Sequence, residues 1–400
     1  MTERADAAPA RAKVGLVSLG VGLAAAGVGA ALGVAAERVA VGRPLLPPFG
    51  PPQGDGEDYG ELHTLGQVVL ADDAVRLHVE VEAIGDPGPD DPTIVFSHGY
   101  TLTMDSWHFQ RKRLREQTGR DFRMVFWDQR GHGRSATGPA ESATIEQIGS
   151  DLSEVIDAVA PSGPLILIGH SMGGMTVMSL AHRRPELFVE RVRAVALIST
   201  SSGGMDDVDF GITGLGRLIP RLGATTVRAL SRTPRLVERG RRIVSDLEAV
   251  MIRRYSYASP VSHALVRFTA EMITSTRLEV VADFMPALSG HDKREALAAL
   301  SHVQTLVIVG DCDLLTPADH SLEIARLLPA AEHVVVQDAG HLLMLEHPEV
   351  VNSYLLDLIG RATHPDAGRE GARRVRPPSA VRRTVASLRG RRRRGRGLTA

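Results

Sequence analysis

The feature that most constrains this chain is a set of short apolar runs repeated along it. TIVFSHG at 93–99, RMVFWD at 123–128, LILIG at 165–169, AVALIS at 194–199 and TLVIVG at 305–310 are nearly continuous in apolar residues. Runs of that length without alternation are what strands buried on both faces look like. Longer segments of helical period, such as TIEQIGSDLSEVIDAVA at 144–160, stand between them. The alternation predicts an α/β fold: a mostly parallel sheet with helices on both faces. AVRLHVEVEAI at 74–84 alternates apolar and polar residues and reads as a half-exposed strand. Residues 205–300 break the rhythm with an Arg-rich, mainly helical stretch between two strands, which reads as an inserted helical cap. The core then comprises 61–204 and 301–362.

Four hundred residues, 43% of them hydrophobic, suffice for one large core. The single cysteine, Cys312, excludes an intramolecular disulfide framework and Cys-rich zinc sites. The formal net charge of -1 conceals an asymmetry. Residues 366–400 hold twelve Arg against Asp366 and Glu370, a local charge of +10, which leaves -11 for the remainder. The segment 363–400 has no interleaved aromatics and reads as a disordered Arg-rich tail, with no nucleic-acid partner expected.

After a short N-terminal segment, 1–13, the run VGLVSLGVGLAAAGVGAALGVAA at 14–36 carries no charge over 23 residues. Its length predicts a transmembrane helix or signal anchor, with cleavage after Ala36 as the rival. Gly20, Gly22 and Ala25 match a dinucleotide fingerprint only in spacing, because no strand precedes them. Arg4, Arg11 and Lys13 before the run, against Arg38 and Arg43 after it, lean toward a cytoplasmic N-terminus and an exported catalytic domain. The Arg-rich tail pulls the other way. Residues 37–60 are rich in Pro and Gly and read as an extended, solvated linker.

Gly169-His170-Ser171-Met172-Gly173 joins a buried-type strand to a helical run. A Gly-x-Ser-x-Gly turn in that context is a nucleophile elbow, which exposes the serine hydroxyl at a helix N-terminus. A serine needs a base to take its proton and a third group to orient that base. Downstream, GDCDLLTP places Asp311 and Asp313 just past a strand, and DAGHLLMLEHPE places His341 between a strand and a helix.

The chain order Ser, Asp, His, together with the His98-Gly99 loop and the elbow, resembles the α/β-hydrolase superfamily over residues 61–362. The resemblance implies the α/β-hydrolase fold and a serine esterase or lipase-like activity. The family's acid loop, Gly-x-x-Asp-x-x-x-Pro, maps onto Gly310, Asp313 and Pro317 and so selects Asp313 over Asp311. By the same resemblance the oxyanion hole is built from the backbone N–H groups of Met172 and Tyr100. WDQRGHGRS at 127–135 is similar to the branch that holds proline iminopeptidases, esterases and epoxide hydrolases. Ser171 stands where epoxide hydrolases and haloalkane dehalogenases carry an aspartate, which argues against their chemistry. Asp128 and Arg130 read as structural, His170 as packing, and His98, His132, His333 and His347 as loop hydrogen-bonders. Asp338 and Glu346 read as supports of the His341 loop.

The expected activity is hydrolysis of carboxylic esters through an acyl-enzyme, with no metal or organic cofactor implied. Between Gly211 and Ile243 the cap carries eight Arg against one acidic residue, Glu238, interleaved with Leu, Ile and Val. With the expected anchor, that pattern points to a lipophilic ester taken from a membrane surface. A proline-type aminopeptidase would need an acidic cluster for the substrate amine, and the basic cap argues against it. A non-catalytic ligand-binding protein or membrane scaffold on the same fold is the alternative from another class.

Overall fold

The computed structural model describes residues 56–117, 119–205, 252–363 and 381–383. The expected anchor at 14–36, the basic cap stretch 211–243 and most of the Arg-rich tail lie outside them.

A nine-stranded sheet organises the described residues, in the order β1-β2-β4-β3-β5-β6-β7-β8-β9. These are Gly66–Leu70, Arg76–Ile84, Thr93–Ser97, Phe122–Trp127, Leu165–His170, Val192–Ile198, Gln304–Gly310, Glu332–Val336 and Val381–Arg383 for β1 to β9. In spatial order, the strands from β4 to β8 run parallel, whereas the β1–β2, β2–β4 and β8–β9 pairs are antiparallel. Val381–Arg383 lies inside the segment read as disordered, and its backbone pairs with Val334–Val336.

The apolar runs are continuous because alternate side chains enter two separate cores. Ile94, Phe96, Ile166, Ile168 and Ile308 point to one face, where Leu355 and Leu358 of the C-terminal helix Pro348–Thr363 cover them. Val95, Leu165, Leu167, Val195 and Val307 point to the other, against Leu152 and Val155 of the helix Ile145–Val159 and Val177 and Leu180 of the helix Met172–Arg183. These helices are α1 (Ile145–Val159), α2 (Met172–Arg183) and, at the C-terminus, α5 (Pro348–Thr363). Thr144 starts α1 by accepting the Gln147 N–H at 3.1 Å, which satisfies one of the donors a helix N-terminus leaves open.

Between β6 and β7 the described part of the insertion contains α3 (His263–Ser275) and α4 (Leu278–Ser289). Gly131, at φ +77°, lets α4 approach closely, since a Cβ there would meet Val280 Cγ1 at 2.7 Å.

Three expectations need correction. First, β2 is not half-exposed: Glu80 and Glu82 are buried. Arg111, on the helix His108–Arg115, donates to Glu80 at 2.6 Å and to Glu82 at 2.5 Å, so the polar face of the strand is covered by an ion-pair network rather than by water. Second, the domain begins before Glu61. Lys112 donates to Glu57 at 2.6 Å, and the Tyr59 ring stacks on Phe268 at 4.9 Å, which docks the end of the segment read as a solvated linker. Third, the membrane-anchored localisation does not stand. Among the described residues no helix is long and apolar enough to cross a membrane. The run on which that reading rested holds six Gly and seven Ala, residues that each bury little apolar area.

Candidate active site

Strand β5 runs into α2 through Ser171, whose backbone is held at φ 52° and ψ -118°. Such a conformation is strained for any residue with a Cβ and persists only where the surroundings enforce it. Here they do. The Ser171 N–H donates to the Ile198 carbonyl at 3.0 Å, and Thr200 Oγ1 donates to the Ser171 carbonyl at 2.7 Å. The flanking glycines are steric necessities: a Cβ on Gly173 would lie 2.0 Å from the Ser97 carbonyl oxygen, and one on Gly169 would lie 2.4 Å from that of Gly173. Met172 opens α2, so its N–H has no carbonyl within the helix to bond.

His341 follows β8 in the loop before the short helix Leu343–Glu346. Its Nδ1 donates to both oxygens of Asp313, at 2.9 and 3.0 Å. Asp313 is buried and also accepts from the N–H groups of Leu315 and Thr316 and from Thr316 Oγ1, each at 2.9 Å. Burial works against its ionisation, but the charge and hydrogen bond of His341 and the Thr316 donors prevail and hold the carboxyl below its ordinary range. Asp311 stands elsewhere: it is exposed, and its carboxylate accepts the Ala339 N–H at 3.4 Å. Glu346 braces the histidine loop, accepting from the N–H groups of Gly340 at 2.5 Å and Ala258 at 2.7 Å.

The elbow and the histidine loop meet through His170. Its ring lies 4.8 Å from that of His341, centroid to centroid, and its Nε2 donates to the His341 carbonyl at 3.0 Å. The bond was not legible in the sequence, where only the position beside the nucleophile marked His170.

Tyr100 sits in the loop after β3, and its hydroxyl donates to the Val281 carbonyl of α4. The next residue, Thr101, takes φ 59°, unusual for a β-branched side chain. A relay ties this loop to the elbow helix. Gln129 N–H donates to His98 Nε2 at 2.9 Å, Gln129 Nε2 donates to the His98 carbonyl at 2.6 Å, and Thr176 Oγ1 donates to Gln129 Oε1 at 2.7 Å. Burial, reinforced by His132, depresses the His98 pKa to about 3, so the ring accepts that N–H as a neutral imidazole. Asp128 accepts the N–H groups of Met104 and Arg134, both at 2.8 Å. Arg130 forks onto Asp151 with two bonds of 2.6 Å. His333 bonds Ser321 Oγ at 2.9 Å, and His347 Nε2 donates to the Asp338 carbonyl at 3.2 Å.

Beside Met172 and Tyr100 lies a third apolar cluster, formed by Ala143, Ile145, Ile148, Met175, Val280 and Phe284. Among the described residues no group of His, Cys, Asp and Glu is arranged to hold a metal ion.

A strained serine at a strand-to-helix turn, whose neighbour His170 packs against a histidine bonded to a buried aspartate, is an arrangement suited to hydrolysis, and the comparisons agree. Residues 92–348 match the model of the alpha/beta hydrolase fold, and the chain belongs to that family. It is 26% identical over 264 residues to an sn-1-specific diacylglycerol lipase of Mus musculus, covering 64% of this chain and 78% of that protein. It is 26% identical over 263 residues to a 3-oxoadipate enol-lactonase of Acinetobacter baylyi, covering 66% and 86%. A thermophilic esterase from Thermogutta terrifontis shares the fold with a TM-score of 0.59 at 24% identity, covering 75% of this chain and 99% of the esterase. The protein is a hydrolase of this fold, and the relatives above are named as a lipase, an enol-lactonase and an esterase.

Proposed function

We propose that the protein hydrolyses carboxylic esters of lipophilic acyl groups through a Ser171-His341-Asp313 triad. The observation that carries the reading is the pairing of His341 Nδ1 with the buried Asp313, beside an elbow that strains Ser171. With Nδ1 committed to Asp313, Nε2 is the nitrogen left to take the Ser171 proton as Oγ attacks the ester carbonyl. The oxyanion is held by the N–H groups of Met172 and Tyr100. As the tetrahedral intermediate collapses, His341 returns the proton to the leaving alcohol and an acyl-Ser171 ester remains. Water, deprotonated by His341, then releases the acid.

The lipophilic preference rests on the apolar cluster beside Met172 and Tyr100 and on relatives whose names specify a lipase and a lactonase. Each acyl methylene removed from water against that apolar wall adds about 0.8 kcal/mol.

Two measurements test the proposal. A fluorophosphonate probe labels the parent but not Ser171→Ala, which loses roughly 10⁶-fold in ester turnover. Across p-nitrophenyl esters from acetyl to dodecanoyl, kcat/KM rises and then levels, and a prolyl-anilide is cleaved more slowly than any of them. Labelling or parental turnover in Ser171→Ala would refute the triad. A flat or falling ester series would refute the lipophilic preference alone.

A further inference from the structure

His170 precedes the proposed nucleophile and is completely buried. A residue that merely fills space there would be Leu, Met or Phe, since a buried polar atom without a partner is costly. The chain carries that cost: His170 Nδ1 has no hydrogen-bond partner among the described residues. Its other nitrogen does have one, the carbonyl of His341 at 3.0 Å. Since a carbonyl only accepts, Nε2 carries the proton, and the tautomer follows from the bond. Burial and the neighbouring His341 depress the His170 pKa to about 3, which keeps the ring neutral at working pH.

The imidazole has a loop on each side. Toward the base loop it donates the bond to His341 and lies against that ring at 4.8 Å. Toward the loop after β3 it is so close to Gly99 that a Cβ there would stand 2.6 Å from Nδ1 and 3.0 Å from Cε1. On a third side the Trp107 ring meets it edge-on at 6.5 Å. Gly99 adjoins Tyr100 and His341 is the proposed base, so one side chain touches both the loop of the base and the loop that carries Tyr100.

We propose that His170 is a positioning residue for ester hydrolysis, using its hydrogen bond to the His341 carbonyl and its contact with Gly99 to hold both loops in register with Ser171. The proposal rests on the triad reading above.

The test compares two side chains that cannot donate, His170→Phe and His170→Met, with one that can, His170→Gln. Each is measured for kcat and KM on p-nitrophenyl butyrate, for its rate of fluorophosphonate labelling and for its melting temperature. In the non-donors kcat and the labelling rate fall together by on the order of 10²-fold, the penalty of a slightly misplaced catalytic group, while KM stays near the parental value. His170→Gln recovers most of that loss. Gly99→Ala, which presses on the same ring from the opposite side, reproduces the kcat defect. Parental kcat in a folded non-donor overturns the proposal, as does a His170→Gln no better than the non-donors at equal melting temperature. Ser171→Ala, run alongside, separates the two readings. If it remains active, the triad and this inference both fall; if it is inert beside a fully active His170→Phe, this inference alone falls.

Discussion

Asp311 and Asp313 carry the same carboxyl group two residues apart, and both follow β7. Their surroundings give them different chemistry. Asp313 is enclosed and bonded by His341 Nδ1, two backbone N–H groups and the Thr316 hydroxyl, whereas Asp311 faces solvent. Asp313→Asn therefore loses roughly 10⁴-fold in kcat, because an amide neither favours the required tautomer of His341 nor stabilises its cation. Asp311→Asn stays within a few-fold of the parent. Steady-state kinetics on one p-nitrophenyl ester decides between them, and a larger loss at Asp311 would transfer the acid role. Cys312, between the two, is exposed, yet partial burial and the Asp311 carboxylate raise its thiol pKa to about 11, which makes it a poor nucleophile.

Elements are joined around this site by buried charge. Arg130, in the loop after β4, is almost fully enclosed; it forks onto Asp151 of α1 and reaches Asp73 in the β1–β2 turn at 2.8 Å. Replacing both partners of such a pair with apolar residues can be neutral, but removing one strands the other in a low-dielectric interior. Arg130→Met leaves Asp151 buried without its cation and costs about 3–5 kcal/mol of stability. Urea unfolding of the variant reads this directly. A midpoint equal to that of the parent would show that Asp151 finds another donor or sheds its charge cheaply. The Arg111 network with Glu80 and Glu82 follows the same logic and explains why β2 tolerates carboxylates on a buried face.

Acid stability belongs to the whole molecule. Burial is the leading cause that lowers His98 and His170 to about 3 and His132 and His291 to about 4, all from an ordinary value of 6.5. A histidine depressed in the folded state binds its proton more readily when unfolded. Stability from these four is thus full above pH 6.5 and is lost as pH falls toward their folded values, by up to about 1.4 kcal/mol per pH unit for each. Asp128 opposes them. Burial raises its pKa from 3.8 to about 7, so it adds stability as pH falls through that window. Burial raises Asp105 and Asp151 in the same sense as Asp128, but the depressed histidines, joined by His320 and His333, outnumber these carboxyls. Burial works against the ionisation of Glu80, yet its Thr64, Arg111 and His63 partners prevail and hold it at about 2, which adds a further loss below pH 4.5. The urea midpoint is expected to decline steadily from pH 7.5 to pH 5. A flat or rising midpoint over that interval would show that the buried histidines are hydrated or charged in the native state.

Periodic and local features were legible in the sequence because they depend on neighbours within a turn or a strand. The five apolar runs became β3 to β7, the strand-to-helix context identified the elbow around Ser171, and the loop positions of Asp313 and His341 followed from their flanking elements. The choice of Asp313 over Asp311 came from the family's loop pattern, since spacing alone favours neither. Only the tertiary structure decided which distant groups share a space. Glu80 and Glu82 look solvent-facing in an alternating strand until Arg111 covers them from 29 or more residues away. Tyr59 looks like linker until Phe268 supplies a ring for it to stack on. His170 looks like packing until His341, 171 residues further on, presents a carbonyl to its Nε2. A hydrophobic period is a property of one segment and its solvent, so a sequence displays it. The partner of a buried polar atom is a property of two segments and of the packing that brings them together, and no local pattern encodes it.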